Sequence, residues 1–163
     1  SVSLSIPRSL CRDRPLTTLE AIPPTLRKGQ MIEGSCHCGA VRWTFEGAPE
    51  SATACNCTAC RRYGTLWAYG FDGEGVEALS EPEALPTHVR GDGTLAFHFC
   101  RHCGCVTHWR GLRARADGRT RIAVNLRMAE PDAVAHIPIQ RFDGLLTWED
   151  LPRDGRCIAD VWY

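Results

Sequence analysis

The sequence predicts a mainly β domain of short antiparallel strands, and three observations carry that prediction. Apolar and polar residues alternate with period two in several segments, the mark of half-buried strands. Fifteen glycines and ten prolines cut the chain into pieces too short for long helices. Ten cysteines punctuate those pieces, and eight of them, counting Cys105, fall in C-x-C or C-x-x-C groups that would tie turns together. With 163 residues, 44% hydrophobic and 23% charged, there is enough chain for one domain with a buried core.

Residues 1–30 stand apart. They hold Arg8, Arg12, Arg14, Arg27 and Lys28 against Asp13 and Glu20, with four prolines and no apolar run of signal-peptide length. They read as an irregular or disordered extension, with Met31 the expected natural start and Cys11 an idle thiol. The folded domain is expected to span residues 31–163.

Cys36-His37-Cys38-Gly39 reads as a metal knuckle, with Gly39 free to take a backbone conformation that other residues avoid. Val41, Trp43 and Phe45 alternate with Arg42, Thr44 and Glu46 as a strand, which Gly47-Ala48-Pro49 ends. Ser51–Ala54 is extended and leads into Cys55-Asn56-Cys57-Thr58-Ala59-Cys60. Thr58–Tyr63 forms a helical turn stopped by Gly64. Trp67, Tyr69 and Phe71 mark a strand with an aromatic face; Trp67, Tyr69 and Trp109 are assigned to the core, a pocket wall being the alternative. Val76–Leu79 is a short strand. Thr87–Arg90, the turn Gly91-Asp92-Gly93 and Thr94–Cys100 make a hairpin with Leu95, Phe97 and Phe99 buried. That hairpin runs into the second knuckle, Cys100-Arg101-His102-Cys103-Gly104. Val106–Trp109 and Ile122–Leu126 are further strands, Glu130–Val134 a helical turn, and Ile137–Phe142 extended. Leu145–Asp150 is a helical turn or irregular.

Two thiols on one tight turn suit a shared metal ion better than a disulfide framework, which implies a reducing compartment, the cytoplasm by default. Cys38-Gly39-Ala40-Val41 and Cys103-Gly104-Cys105-Val106 match each other. Cys36, Cys38, Cys100 and Cys103 therefore read as one closed, structural four-thiolate zinc site. Cys55, Cys57 and Cys60 read as the ligands of a second zinc, with a coordination position left for a substrate. Cys105, His37, His98, His102 or His108 could each supply a fourth ligand and close that site. Cys157 is a core thiol.

Three segments carry a resemblance: Gly34-Ser35-Cys36-His37-Cys38-Gly39-Ala40-Val41, Cys55-Asn56-Cys57-Thr58-Ala59-Cys60-Arg61 and Phe99-Cys100-Arg101-His102-Cys103-Gly104. In order and spacing they resemble the glutathione-dependent formaldehyde-activating enzyme family, which includes the centromere protein V domain. The likeness spans about residues 31–134. It implies a β-tent-like fold with two zinc ions per chain, a structural one on Cys36, Cys38, Cys100 and Cys103 and a catalytic one on Cys55, Cys57 and Cys60. Cys105 and residues 1–30 depart from the family pattern.

The implied activity is that of a carbon–sulfur lyase acting on a thiol adduct, as in the condensation of glutathione with formaldehyde to S-hydroxymethylglutathione. Zinc with three thiolates carries a net charge of −1, which favours holding and activating a thiol over polarising a carbonyl. Arg61 and Arg62 beside the triplet, and the later cluster Arg110, Arg113, Arg115, Arg119 and Arg121, are candidates for the carboxylates of glutathione; a solvated face is the plainer reading of the later cluster. A zinc-stabilised protein-binding module without catalytic activity is the alternative. Nucleic acid is not an expected partner: from residue 31 onward there are fourteen basic and seventeen acidic side chains. Nor is a membrane, since no apolar run approaches the length of a span.

Overall fold

The computed structural model describes residues 31–80 and 85–162. The expected irregular extension over residues 1–30, with Cys11, lies outside the described residues. A hydrogen-bonded path of strands runs through the molecule. β1 (Met31–Ser35) pairs with β2 (Val41–Glu46), and β2 with β5 (Gly75–Ser80). β4 (Trp67–Asp72) follows, then β9 (Arg121–Asn125), β8 (Val106–Gly111), β7 (Leu95–Phe99) and β6 (Thr87–Val89). β3 (Ala52–Cys55) joins β4 through Thr53 and Trp67. Its other edge carries β10 (Ile139–Asp143), which in turn pairs with β11 (Glu149–Asp150).

The architecture is mainly β, as the sequence predicts. Most pairings are antiparallel. The parallel ones are β3 with β10 and a two-residue corner between β4 and β5. Helix is confined to single turns. α1 (Cys60–Tyr63) stops at Gly64, whose left-handed backbone (φ 63°) lets its N–H close on the Cys60 carbonyl. α2 (Pro131–Val134) starts on a proline at its first positions. Residues 145–150 resolve into a turn followed by β11, and residues 158–161 into a 3-10 turn.

The central strands are covered on both faces. On one side Ile32, Trp43, Phe45, Val76, Ile122 and Val124 form the main core with Ile137, Ile139 and Ile158. On the other, Ala123, Trp67, Phe97 and Trp109 pack against Cys57 and Cys60. β2 alternates as expected, with Val41, Trp43 and Phe45 buried. β4 turns its rings away from the main core. Ala68 and Gly70 face that core instead, and a Cβ on Gly70 would collide with Val76, so only the opposite side has room for Trp67 and Tyr69. Cys157 is buried, as expected of a core thiol, with its Sγ 3.5 Å from Asp160 Oδ2.

Candidate metal centres and cleft

The two knuckles are built alike. In the first, Cys36 N–H donates to the Val41 carbonyl and Gly39 N–H to that of Cys36; in the second, Cys100 N–H donates to the Cys105 carbonyl and Gly104 N–H to that of Cys100. Gly39 (φ 78°) and Gly104 (φ 74°) both take the left-handed conformation that turns the chain under the thiols. The result gathers Cys36, Cys38, Cys100 and Cys103 with all four sulfurs within 4.8 Å of one another. The Cys36–Cys38 and Cys38–Cys100 separations are 3.5 Å. A tetrahedral zinc with Zn–S of about 2.3 Å has sulfurs about 3.8 Å apart, so the donor set fits that ion. None of the described cysteines forms a disulfide. Backbone N–H groups around the sulfurs favour thiolates: that of Cys105, foremost, holds the Cys103 thiol down at about 5.

Cys55, Cys57 and Cys60 form a second group, again with sulfurs within 4.8 Å of one another. β3 delivers Cys55, a turn places Cys57, and α1 opens on Cys60. α1 is pinned by Tyr63, whose ring packs edge-on at 5.3 Å against both Phe97 and Phe99 of β7. Each sulfur accepts an N–H bond: Cys57 N to Cys55 Sγ at 3.4 Å, Cys60 N to Cys57 Sγ at 3.4 Å, and the Trp67 indole Nε1 to Cys60 Sγ at 3.2 Å. Three adjoining thiols cannot all ionise unaided. The bond that Cys60 donates brings Cys55 down to about 6, and the same bond pushes Cys60 up. A divalent cation removes that conflict, so this donor set also fits a soft metal.

Among the described residues no further histidine, cysteine or carboxylate joins this triplet. Cys105 packs with the first group, beside Cys36 and Cys100. His98 and His108 stack on each other with centroids 4.4 Å apart. Their ring neighbours in sequence, Phe97 and Trp109, take the triplet side of β7 and β8, so strand alternation turns both imidazoles the other way. His37 and His102 are exposed on the knuckles.

A cleft of about 570 Å³ opens over the triplet. Cys55, Cys57 and Cys60 line it, and Trp67, Tyr69, Phe97, Trp109, Phe142 and Trp148 give it an aromatic wall. Trp67 and Trp109 are core residues, as expected, that also line the cleft, while half-exposed Tyr69 takes the pocket-wall role. Burial pushes the Tyr69 phenol up to about 12, so its hydroxyl keeps its proton at neutral pH.

Of the arginines offered by the sequence, Arg121 alone lines the cleft. Arg61 and Arg62 are exposed outside it, Arg110 pairs with Asp72, and Arg119 pairs with Asp117. Arg90 and Arg153 line it unforeseen. So does a whole wall from the C-terminal part of the chain, because β10 lies parallel to the strand that carries Cys55. Gly144 follows β10 and lies against the triplet: a Cβ there would stand 2.7 Å from Cys55 Sγ and 2.9 Å from Cys57 Cβ. Asn56, inside the cysteine motif, staples this segment in place. Its Nδ2 donates to Asp143 Oδ1 (2.9 Å), and its Oδ1 accepts from Leu145 N (3.0 Å). The only local hint of that staple is an amide residue between two thiols of the triplet.

Comparison with known proteins agrees with this arrangement. The family model described as glutathione-dependent formaldehyde-activating enzyme matches residues 31–137. Among solved structures, the crystal structure of a Rhodobacter sphaeroides protein is similar at 28% identity and a TM-score of 0.51, covering 66% of this chain and 99% of that one. No curated protein matches. β10 and β11 lie beyond the matched residues. The chain belongs to the glutathione-dependent formaldehyde-activating enzyme family.

Proposed function

We propose that this chain is a zinc-dependent carbon–sulfur lyase that joins a small-molecule thiol such as glutathione to formaldehyde and, in reverse, cleaves the adduct. The observation that carries the reading is a group of three thiols, with no fourth protein ligand among the described residues, at the floor of an aromatic cleft. On this reading Cys36, Cys38, Cys100 and Cys103 hold a structural zinc, and Cys55, Cys57 and Cys60 hold the catalytic one. That second ion would supply a position for an incoming thiol and lower its pKa toward neutrality.

The rest falls to the chain's own groups. In the forward direction a sulfur lone pair forms the S–C bond and the carbonyl π pair moves onto oxygen. The proton lost by sulfur is balanced by one gained at that oxygen. Tyr69, protonated and lining the same cleft as Cys55 and Cys60, offers a hydroxyl for the oxygen's proton. The N–H donors on the triplet sulfurs spread the negative charge of a three-thiolate site.

The test is exchange NMR of formaldehyde with its glutathione adduct on zinc-loaded protein, with Cys57→Ser as control. Exchange faster than the uncatalysed rate, lost in the variant, is the expected result. No acceleration with any thiol would overturn the reading. It would favour a protein-binding module, for which the exposed Leu145 and Leu146 beside the cleft would be the natural contact.

A further inference from the structure

The charged groups of the cleft are unevenly committed. Arg153 is occupied: its Nε donates to Gln140 Oε1 at 3.0 Å and its Nη2 pairs with Glu50 at 3.5 Å. Arg121 makes no ion pair among the described residues, and its guanidinium lies 5.4 Å from the Tyr69 ring and 5.7 Å from that of Trp109. Arg90 stacks on the Trp148 indole at 4.2 Å, with one long 3.6 Å contact to Asp92. Stacking covers a face of a guanidinium and leaves its N–H fork free for a carboxylate. Two such forks therefore open on one cleft.

Their spacing follows from the sheet. Arg90 N–H donates to the Leu95 carbonyl, Leu95 pairs with Gly111, and Gly111 abuts Arg121. Arg90 and Arg121 thus end one cross-strand row, three strand spacings or about 14 Å apart at the backbone. An extended tripeptide spans about 10 Å, a length that two arginine side chains bracket when they enter one cleft from backbones about 14 Å apart. The triplet end of the row's face lies four residues away along β9, where Asn125 pairs with the Trp67 that bonds Cys60. Asp150, on the same cleft and without an ion pair among the described residues, is placed for an ammonium group.

The position of Arg90 is itself engineered by the C-terminal segment. Trp148 is the one non-glycine among the described residues with a left-handed backbone (φ 61°), a costly conformation for a large side chain. It is held there by its N–H bond to the Asp143 carbonyl (2.7 Å), while the Asp143 carboxylate accepts from Leu145, Leu146 and Thr147 N–H. Asn56 fastens Asp143 to the cysteine triplet. One continuous set of bonds therefore runs from the triplet to the indole under Arg90.

We propose that Arg90 and Arg121 are the specificity-determining residues of this cleft, each taking one carboxylate of a tripeptide-sized, dianionic thiol whose sulfur is directed to Cys55, Cys57 and Cys60. The proposal rests on the thiol-adduct reading above and adds how the thiol is chosen. Trp148, outside the family match, orients Arg90.

Calorimetric titration of the zinc-loaded full chain with S-methylglutathione and with its diethyl ester tests this. The thioether keeps the tail and removes the reactive thiol, so the readout is binding, not turnover. The expected result is that the free acid binds about 100-fold tighter than the diester, about tenfold per carboxylate. In the R90Q/R121Q double variant the two ligands bind within about threefold of each other, while the diester binds as it does to the parent chain. R90K/R121K, which keeps both charges, retains at least a tenfold preference and guards against a folding artefact. Equal binding of acid and ester by the parent chain, or an undiminished preference in R90Q/R121Q, overturns the proposal. A preference for the acid without turnover of any thiol–formaldehyde adduct supports this subsite and sinks the lyase reading; turnover without a preference does the reverse.

Discussion

Gly144→Ala probes the link between the C-terminal segment and the cysteine triplet. The added methyl would stand 2.7 Å from Cys55 Sγ and 2.9 Å from Cys57 Cβ. Ordinary contact requires about 3.5–4.0 Å between such atoms, so something must move by about 1 Å. The backbone at residue 144 cannot retreat freely, because Asn56 and the Asp143 carboxylate hold both of its neighbours. The displacement falls on Cys55, at an overpacking cost of about 1–3 kcal/mol. Metal–ligand distances in zinc sites hold to within about 0.2 Å, so a shift of this size competes directly with metal binding. The same energy taken from metal binding lowers zinc affinity at the triplet by about 5- to 150-fold. Zinc titration against a chromophoric chelator should then resolve one unchanged tight site, the Cys36–Cys38–Cys100–Cys103 group, and one weakened site. A G144A chain that holds both ions at parental affinity would refute the argument that this glycine is required by the triplet.

Two more outcomes follow from the polar groups around the site. Trp67→Phe keeps the ring in the cleft wall and deletes the N–H bond to Cys60 Sγ; zinc affinity at the triplet should fall by about tenfold or more, read by the same titration. His108→Phe should change the pH dependence of stability. Burial, then the nearby His98 and Arg110 charges, depress His108 to about 2, against about 6.5 unfolded. A depressed histidine gives stability that is complete above the unfolded value and is lost as pH falls below it. Between pH 7.5 and 5.5 this costs about 1.4 kcal/mol that the phenylalanine variant would not lose. Urea unfolding of zinc-saturated protein at the two pH values measures it, and equal losses in both chains would count against the buried neutral imidazole.

What could be read from the residues in order was whatever is decided within a few positions. The C-x-C and C-x-x-C groups bring thiols onto one turn, so the two sulfur groups were visible before any fold. The glycines after Cys38 and Cys103 turn as the matching motifs require. Alternation in β2 marked its buried side because one face meets the main core and the other does not. On β4 the same logic placed Trp67 in a core, where it is, but could not tell that Tyr69 on the same face stands at an open cleft. There the space left by Val76 sent the rings of Trp67 and Tyr69 toward the cleft.

The chain alone, then, determined a mainly β domain carrying one four-thiol and one three-thiol group, because ligand spacing and strand period are local properties. Tertiary structure decided which groups those thiols meet. It gave Cys105 to the first knuckle pair, turned His98 and His108 away from the triplet, and set β10 beside β3 across a separation of 87 residues. That pairing brings Gly144 against the cysteine triplet and Trp148 under Arg90. No short-range pattern encodes it, since the register of distant strands is settled by which pairing buries Ile139 and Ala52 together while leaving Asn56 its two partners.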